Sequence, residues 1–498
     1  MEDYLAIIEK NFDEEVAFLQ KLVRCPSEQA PAVRGADGAI YPFGKGVQEA
    51  LELTLAEGEK MGFVPLNVDN YGGHLDFAGS AGTDEKGEAL PAEKTLGVLG
   101  HLDVVPAGDG WSFPAYSGEV AEGFMYGRGT TDDKGPTVAA LFAMKALKEA
   151  GYVPAANIRL VLGLDEETGW SGMRRYLEKV PACDYGFTPD EAFPVVNGEM
   201  GILTFDLVRK MNDRPMKGLA LNKLEGGAAP NMVPAKARAI VNSKEKGAYE
   251  KIKEKLTTFR NCFTEVNGLK PKIGCKGVGT SLEISVEGKA SHGAHPELGL
   301  NAISVLMQFL GELNFVNEDV NDFISFYNDH IGFDCGGERL GCDLADEQSG
   351  HLILNAGVLR YDRKSATLTV NLRYPVTATE EQVFSGIMEI TDKYDLGIVK
   401  KISHDPIWFA EENPLVRTCV KVYQDFTGDL ESRPIVTGTG TYARAMKNHI
   451  AFGALFPGDP DLMHQRDERL ELRQLLTATK IYAKALHEMT LPGFSLER

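Results

Sequence analysis

Three apolar runs of this chain each end in residues that can bind a metal ion. They run from Val98 to His101, from Ile158 to Glu167 and from Tyr185 to Asp190. Buried parallel strands read as continuous apolar runs, and α/β sheets place their sites at the carboxyl ends of such strands. The three adjacent acids Asp165-Glu166-Glu167 would repel one another there unless cations lay nearby. The pattern therefore predicts an α/β sheet whose carboxyl edge carries a metal site.

Each polar feature also has a simpler structural explanation when it is taken alone. His101-x-Asp103 is then more typical of a strand that passes into a loop, although residues two apart on a strand share a face, so that Asp103 can orient the imidazole. Asp132 and Asp133 precede an apolar helix, and the roles of helix cap and dipole partner would explain them without any metal site. Possible ligands nonetheless recur at the ends of separate predicted strands, and this repetition favours a metal site.

At 498 residues the chain is too long for a single core, so we expect two domains. Apolar runs and amphipathic helices predict a catalytic α/β domain built from residues 1–200 and 406–498. Between these two ranges, apolar and polar residues alternate, as is typical of half-exposed antiparallel strands. This pattern predicts an inserted α+β domain over 201–405. The periodicity predicts helices over 3–23, 44–61, 137–150, 249–260, 301–313, 380–394, 414–426 and 472–489.

Composition excludes several classes of protein. The net charge of −20 argues against a nucleic acid as the partner, because phosphate binding needs a basic surface. Seven scattered cysteines without a C-x-x-C pair argue against a disulfide framework and favour a reducing compartment. The N-terminus lacks a signal-peptide pattern, and no apolar run reaches membrane-spanning length. We therefore expect a cytoplasmic protein with no nucleic-acid or membrane partner.

A set of imidazoles and carboxylates stands out as a candidate metal site: His101, Asp132, Glu167, Asp190 and His464. Ligands of these two kinds, without thiolate, suit Zn²⁺, Mn²⁺ or Co²⁺. One carboxylate that bridges two ions would make the site a co-catalytic one of the hydrolase type.

Short segments in a fixed order and spacing connect the chain to a known group of enzymes. They are Gly100–Asp103, Gly127–Pro136, Asp165–Glu167, Thr188–Asp190, Asn231–Pro234, Ser291–Gly293, Leu372–Pro375, Gly440–Tyr442 and Met463–His464. In these segments the chain resembles the dinuclear zinc metallopeptidases of the carnosinase, aminoacylase and carboxypeptidase-G group. The resemblance is strongest to their peptidase-V-type bacterial dipeptidases, and it extends nearly from end to end.

The resemblance implies a fold and an activity. The fold would be an α/β, mixed-sheet catalytic domain of the zinc exopeptidase type with an inserted α+β lid domain. The activity would be that of a metal-dependent dipeptidase, which uses metal-activated water on dipeptides with a free C-terminal carboxylate. A deacylase of N-acyl amino acids and a broader aminopeptidase are the alternatives. The implied cofactors are two divalent ions, zinc first and manganese or cobalt next, and the implied state is a monomer that binds small peptides.

Residue by residue, the resemblance implies a division of roles at the metal site. Asp132 would bridge the two ions, with His101 and Asp190 completing one site and Glu167 and His464 the other. Asp103 would orient His101. Glu166 would be the general base, which takes a proton from the attacking water and returns it to the leaving amine.

The resemblance also assigns residues around the substrate. His292, in the inserted domain, would donate to the oxyanion, with His295 three residues away as the alternative donor. Arg373 would hold the free carboxylate of the substrate, Asn231 would help to hold the substrate, and Gly440 would contribute a backbone contact.

Overall fold

The computed structural model describes residues 3–36, 38–84, 89–211 and 218–496, which fall into two compact units. Unit 1 comprises residues 1–197, 409–435 and 440–498, and unit 2 comprises residues 198–408 and 436–439. Parts of the ranges predicted from the sequence, namely 1–2, 37, 85–88, 212–217 and 497–498, lie outside the described residues.

Residues 436–439 lie in a different unit from the one predicted, and the predicted boundaries at 200 and 406 each differ by three residues from the observed ones at 197 and 409. The sequence placed residues 436–439 with the catalytic domain, but in the structure they belong to unit 2. Hydrogen bonds within unit 2 explain the difference, because Met200 N–H donates to Thr437 O at 2.9 Å and Arg373 Nε–H donates to Gly438 O at 2.6 Å. Contacts of this kind join residues far apart in sequence, so local composition does not report them.

A mixed sheet forms the centre of unit 1. Its strands lie in the order His449–Ala451, Tyr185–Thr188, Thr95–His101, Asn157–Gly163, Gly73–Phe77 and Val64–Asn67. The first four are parallel, and the last two run antiparallel to their neighbours. Shorter strands in this unit are Val33–Arg34, Ile40–Tyr41, Ser80–Thr83, Ala89–Pro91, Glu119–Ala121, Phe124–Tyr126, Glu191–Ala192, Ala454–Leu455 and Arg469–Glu471. The fold class is thus confirmed as α/β.

Helices of unit 1 cover both faces of this sheet because its strands are apolar on both sides. Val98 and Leu160 face a large core shared with helices, whereas Leu99 and Val161 face a smaller core on the opposite side. The helices of this unit are Tyr4–Val23, Lys45–Lys60, Lys134–Glu149, Ser171–Lys179, Pro414–Thr427 and Leu472–Met489, with a 3₁₀ turn at Tyr442–Ala445.

Unit 2 is built around an antiparallel sheet, as the alternating sequence pattern predicts. The strands lie in the order Lys272–Val278, Ser281–Glu287, Lys236–Asn242, Ala220–Gly226, Ile353–Tyr361, Ser365–Tyr374, Gly201–Lys210 and Gly397–His404. The helices are Ala248–Cys262, Ala302–Leu310, Glu318–His330 and Glu380–Thr391, with 3₁₀ turns at Pro296–Leu298 and Asp392–Tyr394. Short strands at Ala345–Asp346 and Gly350–His351 pair with each other. The strands Val196–Glu199, Ile407–Trp408 and Ile435–Thr437 lie where the chain passes between units.

The structure shifts one helix start that matters for the site. The helix predicted from Thr137 begins at Lys134, directly after the two acids Asp132 and Asp133. Asp133 occupies the cap position but makes no side-chain cap hydrogen bond. Its carboxylate instead accepts hydrogen bonds from His101 N–H at 3.1 Å and from the Thr137 hydroxyl at 2.9 Å. The acid therefore ties the helix to the end of the neighbouring strand.

Candidate metal centre

Parallel pairing brings the predicted ligands to one edge of the unit 1 sheet. His101 is the last residue of its strand and pairs in register with Gly163, the last residue of the next strand. Glu166 and Glu167 follow Gly163 in a tight turn, and Asp190 follows the strand that ends at Thr188. Carboxyl ends of parallel strands meet at the same edge, as the three apolar runs of the sequence predict.

The potential ligands form two groups that share Asp132. His101 Nε2 lies 3.1 Å from Asp132 Oδ1 and 3.5 Å from Asp190 Oδ2. His464 Nε2 lies 2.9 Å from Asp132 Oδ2 and 3.0 Å from Glu167 Oε1. Within each group one ligand atom per residue lies within 4.8 Å of the others. The two oxygens of Asp132 thus face different histidines, which is the arrangement of a bridging carboxylate.

The hydrogen bonding of His101 fits a bound cation. Its Nδ1 lies 3.0 Å from the backbone oxygen of Asp103, which can only accept, so Nδ1 carries the hydrogen. In the neutral imidazole, Nε2 then presents a lone pair toward two carboxylate oxygens, and this buried atom makes no hydrogen bond. Lone pairs that converge in this way are stabilised by positive charge between them, which a bound cation or a proton on Nε2 supplies. The donor set is one that Zn²⁺, Mn²⁺ or Co²⁺ accepts.

The electrostatics of these groups also favour positive charge at the site. Burial lowers the pKa of His101, but the carboxylates of Asp190, Asp103 and Asp132 outweigh it and hold the pKa well above its usual value. Burial likewise opposes protonation of His464, yet its bonds to Asp132 and Glu167 raise the pKa to about 11. Each imidazole thus lies in a strongly negative field.

Asp103 touches both His101 and the acidic turn. Its carboxylate lies 3.4 Å from His101 Nδ1, although the shorter contact to that nitrogen comes from the backbone oxygen. The two carboxylate oxygens accept hydrogen bonds from the N–H groups of Glu166 at 3.1 Å and Glu167 at 3.2 Å. This fully buried acid therefore fixes the turn that carries the two glutamates, a contact that the sequence did not suggest.

The two adjacent glutamates differ in their partners. The Glu167 carboxylate contacts His464, whereas that of Glu166 accepts no hydrogen bond from any residue in the described ranges. Burial raises the pKa of Glu166 well above its usual value, and the carboxylates of Asp190, Glu167 and Asp103 add to the rise. Burial and Asp132 raise the pKa of Glu167 to about 7. Glu167 is thus the one of the two whose carboxylate contacts another predicted ligand.

The residues that the sequence assigned to substrate binding lie partly in unit 2. The loop of His292 is joined to that of Asn231, because Gly293 N–H donates to Asn231 O at 2.7 Å. Arg373 is the next-to-last residue of the strand Ser365–Tyr374 and donates a hydrogen bond to Gly438 O. It is buried, with 4 % of its surface exposed. Gly440, in unit 1, is half-buried in the irregular segment before the 3₁₀ turn Tyr442–Ala445.

Sequence reasoning missed a buried ion pair beside the predicted metal ligands. Arg128 and Glu468 form a buried ion pair with 2.5 Å between Nη1 and Oε2. Both residues lie in stretches that the sequence singled out, the glycine-rich run around Asp132 and the run that follows His464. Their opposite charges beside predicted ligands are the signal that could have found them.

The fold and the shared-carboxylate arrangement define a metal-dependent hydrolase. Residues 97–488 match the model of peptidase family M20/M25/M40. The chain belongs to this family, whose members are metal-dependent peptidases, and it is therefore a metallopeptidase.

Curated relatives and solved structures agree with this assignment. The chain is 35 % identical over 455 residues to "Putative dipeptidase YtjP" of Bacillus subtilis (strain 168), covering 91 % of this chain and 92 % of that protein. It is 37 % identical over 461 residues to a "Putative dipeptidase" of Staphylococcus epidermidis, with the same coverage. Human carnosine dipeptidase 1 shares the fold, with a TM-score of 0.54, 15 % identity and 98 % coverage of both chains.

Among the described residues, no helix is long and apolar enough to cross a membrane.

Proposed function

We propose that this protein is a metal-dependent dipeptidase that hydrolyses dipeptides with a free C-terminal carboxylate. The observation that carries the proposal is the pair of ligand groups that share Asp132, beside a glutamate whose carboxylate accepts no hydrogen bond among the described residues. The relatives described as dipeptidases support the substrate class. We propose two zinc ions as the cofactor, with manganese or cobalt as the alternatives that the same ligands accept.

The chemistry follows from the positions of the side chains. When bound, two such ions polarise the scissile carbonyl and lower the pKa of water. Glu166 takes a proton from the attacking water and later delivers it to the nitrogen of the leaving amine, so its carboxylate ends the cycle as it began. Asp103 accepts hydrogen bonds from the backbone N–H groups of both glutamates and so fixes the backbone from which the Glu166 side chain extends.

The local hydrogen bonding of His292 suits a donor to the developing oxyanion better than that of His295 does. Ala294 N–H donates to His292 Nδ1 at 3.3 Å, so in the neutral ring Nε2 carries the hydrogen and acts as the donor. His295 is exposed and lies 3.3 Å from the carboxylate of Glu297. We therefore assign the oxyanion contact to His292.

Arg373 has the surroundings expected of a group that binds a substrate carboxylate. Its guanidinium is oriented by hydrogen bonds that include Nε–H to Gly438 O at 2.6 Å and Nη1–H to Asn371 Oδ1 at 2.7 Å. A buried and oriented arginine of this kind binds carboxylates well. We assign Asn231 and Gly440 to further contacts with the substrate.

The compartment and the oligomeric state are also proposals. All seven cysteines are unpaired, which supports a reducing compartment and hence the cytoplasm. We propose a monomer, and sedimentation of the purified protein at two concentrations would test it.

The decisive experiment compares dipeptides with matched N-acyl amino acids. Metal-free protein is given Zn²⁺, Mn²⁺ or Co²⁺ in turn, and hydrolysis of each substrate is measured. A dipeptidase cleaves the dipeptides at much higher kcat/KM than the N-acyl amino acids, and tripeptides poorly. Preferential cleavage of the N-acyl amino acids would make the protein a deacylase, and equal cleavage of tripeptides would make it a broader aminopeptidase.

A further inference from the structure

A buried ion pair lies directly behind the candidate metal centre. The Arg128 guanidinium and the Glu468 carboxylate are almost completely enclosed, with 1 % and 0 % of their surfaces exposed. Arg128 Nη1 and Glu468 Oε2 are 2.5 Å apart, and the guanidinium carbon lies 5.3 Å from the centroid of the Trp111 ring. Burying two charges is costly, so a pair in this position is retained either for packing or for what it holds in place.

The second oxygen of Glu468 holds the backbone of the shared ligand. Glu468 Oε1 accepts hydrogen bonds from Thr131 N–H at 2.9 Å and from Asp132 N–H at 3.3 Å. The backbone oxygen of Glu468 also accepts from Gly127 N–H at 3.0 Å. One buried acid therefore fixes both ends of the short segment that ends in Asp132.

His464 belongs to the loop that leads into Glu468. This histidine lies four residues before Glu468, outside any helix or strand, and its side chain is 51 % exposed. Its backbone has a positive φ of 61°, a conformation that a non-glycine residue holds only when its surroundings impose it. His101, by contrast, is completely buried at the end of a sheet strand and is held there by Asp133.

We propose that Arg128 and Glu468 are positioning residues that hold Asp132, the residue shared by the two ligand groups. Arg128 acts through Glu468, whose orientation it fixes, and neither residue touches the substrate. The inference rests on the proposed dinuclear centre.

The test is metal binding to the full-length protein rather than activity. Apo wild-type protein is titrated with Co²⁺, followed by visible absorption and by calorimetry, and two equivalents should bind. In Glu468→Gln, whose side chain is nearly the same size, both equivalents should bind about 10- to 100-fold more weakly, the usual effect of losing a supporting contact, because Asp132 belongs to both ligand groups.

A matched ion pair in the same unit provides the control. Asp76 pairs with Arg159 through contacts of 2.7 and 2.9 Å between two sheet strands, and neither residue is placed at the metal centre. Asp76→Asn should lower the melting temperature but leave both Co²⁺ affinities unchanged. If Glu468→Gln does not fold, Arg128→Lys gives the measurement instead, because it keeps the charge and loses only the fixed geometry. It should also weaken the binding of both equivalents.

The outcomes separate this inference from the proposal on which it rests. A wild-type protein that binds fewer than two ions would contradict the dinuclear centre itself. Two ions in wild type and unchanged affinities in the folded variant would overturn the positioning role alone. The same weakening in Asp76→Asn would mean that the Arg128–Glu468 pair only stabilises the fold.

Discussion

Replacing Glu166 with glutamine tests the chemistry most directly. The amide keeps the shape of the side chain but cannot accept a proton from water. The Glu166 carboxylate accepts no hydrogen bond from another residue in the described ranges, so no such contact is broken by the change. The hydrogen bond from Glu166 N–H to Asp103 belongs to the backbone and should persist.

The expected loss follows from the role of a general base. Positioned bases contribute about 10²- to 10⁴-fold to rate, which corresponds to about 3–5 kcal/mol in the activation barrier. The effect should appear in kcat, because the substrate still binds and the proton transfer is what is lost. Metal content should stay the same, since Glu166 belongs to neither ligand group.

The assay pairs steady-state kinetics on a free dipeptide with metal analysis of the same preparations. Glu167→Gln is the matched control, because it alters the neighbouring residue that contacts His464 at 3.0 Å. It should lose metal as well as activity. The reasoning would be refuted if Glu166→Gln kept kcat within about threefold of wild type, a factor far below what a general base contributes. If Glu166→Gln lost metal while Glu167→Gln kept metal and activity, the two roles would be reversed.

Three further predictions follow from the same geometry. A chelator should abolish hydrolysis, with Zn²⁺, Mn²⁺ or Co²⁺ restoring it in wild type but not in Asp132→Ala, which elemental analysis should show to hold fewer ions. Arg373→Ala should lower kcat/KM on a free dipeptide by about 30-fold or more, the cost of truncating a buried charge pair, and much less on the dipeptide amide. Arg209→Ala, a comparably buried change in unit 2, should affect both substrates alike. Burial lowers the pKa of His449 to about 4. As the pH falls below about 6.5, the unfolded chain therefore binds a proton that the folded protein does not bind, and the folded state loses stability. Urea unfolding should show wild type losing up to about 3 kcal/mol more than His449→Gln between pH 6.5 and 4, and equal losses would contradict the shift.

Local sequence patterns predicted most of the helices and the strands that carry the site. The periodic pattern over 472–489 became the helix Leu472–Met489, and the pattern from Pro414 became Pro414–Thr427. These elements are set by the spacing of apolar residues within one segment, which the sequence displays directly. The helix Glu318–His330 and the edge strand Gly397–His404 were not predicted. The strand is mostly exposed, so it lacks the alternation by which half-buried strands are recognised.

Sequence alone determined the chemistry that the site can perform. The residue types of His101, Asp132, Glu167, Asp190 and His464, and their places after apolar runs, already indicated a metal site at one sheet edge. That inference needs only local composition and the rule that parallel strands present their carboxyl ends together.

Only the tertiary structure decided how those residues are held and divided. It separates Glu166 from Glu167 by their contacts, because His464 reaches one carboxylate and not the other. It also pairs Arg128 with Glu468, which are 340 positions apart in the chain. Contacts of this kind depend on which strands become neighbours and on how the loops between them pack. No periodicity within a segment encodes that information, because it arises only when distant parts of the chain share one core.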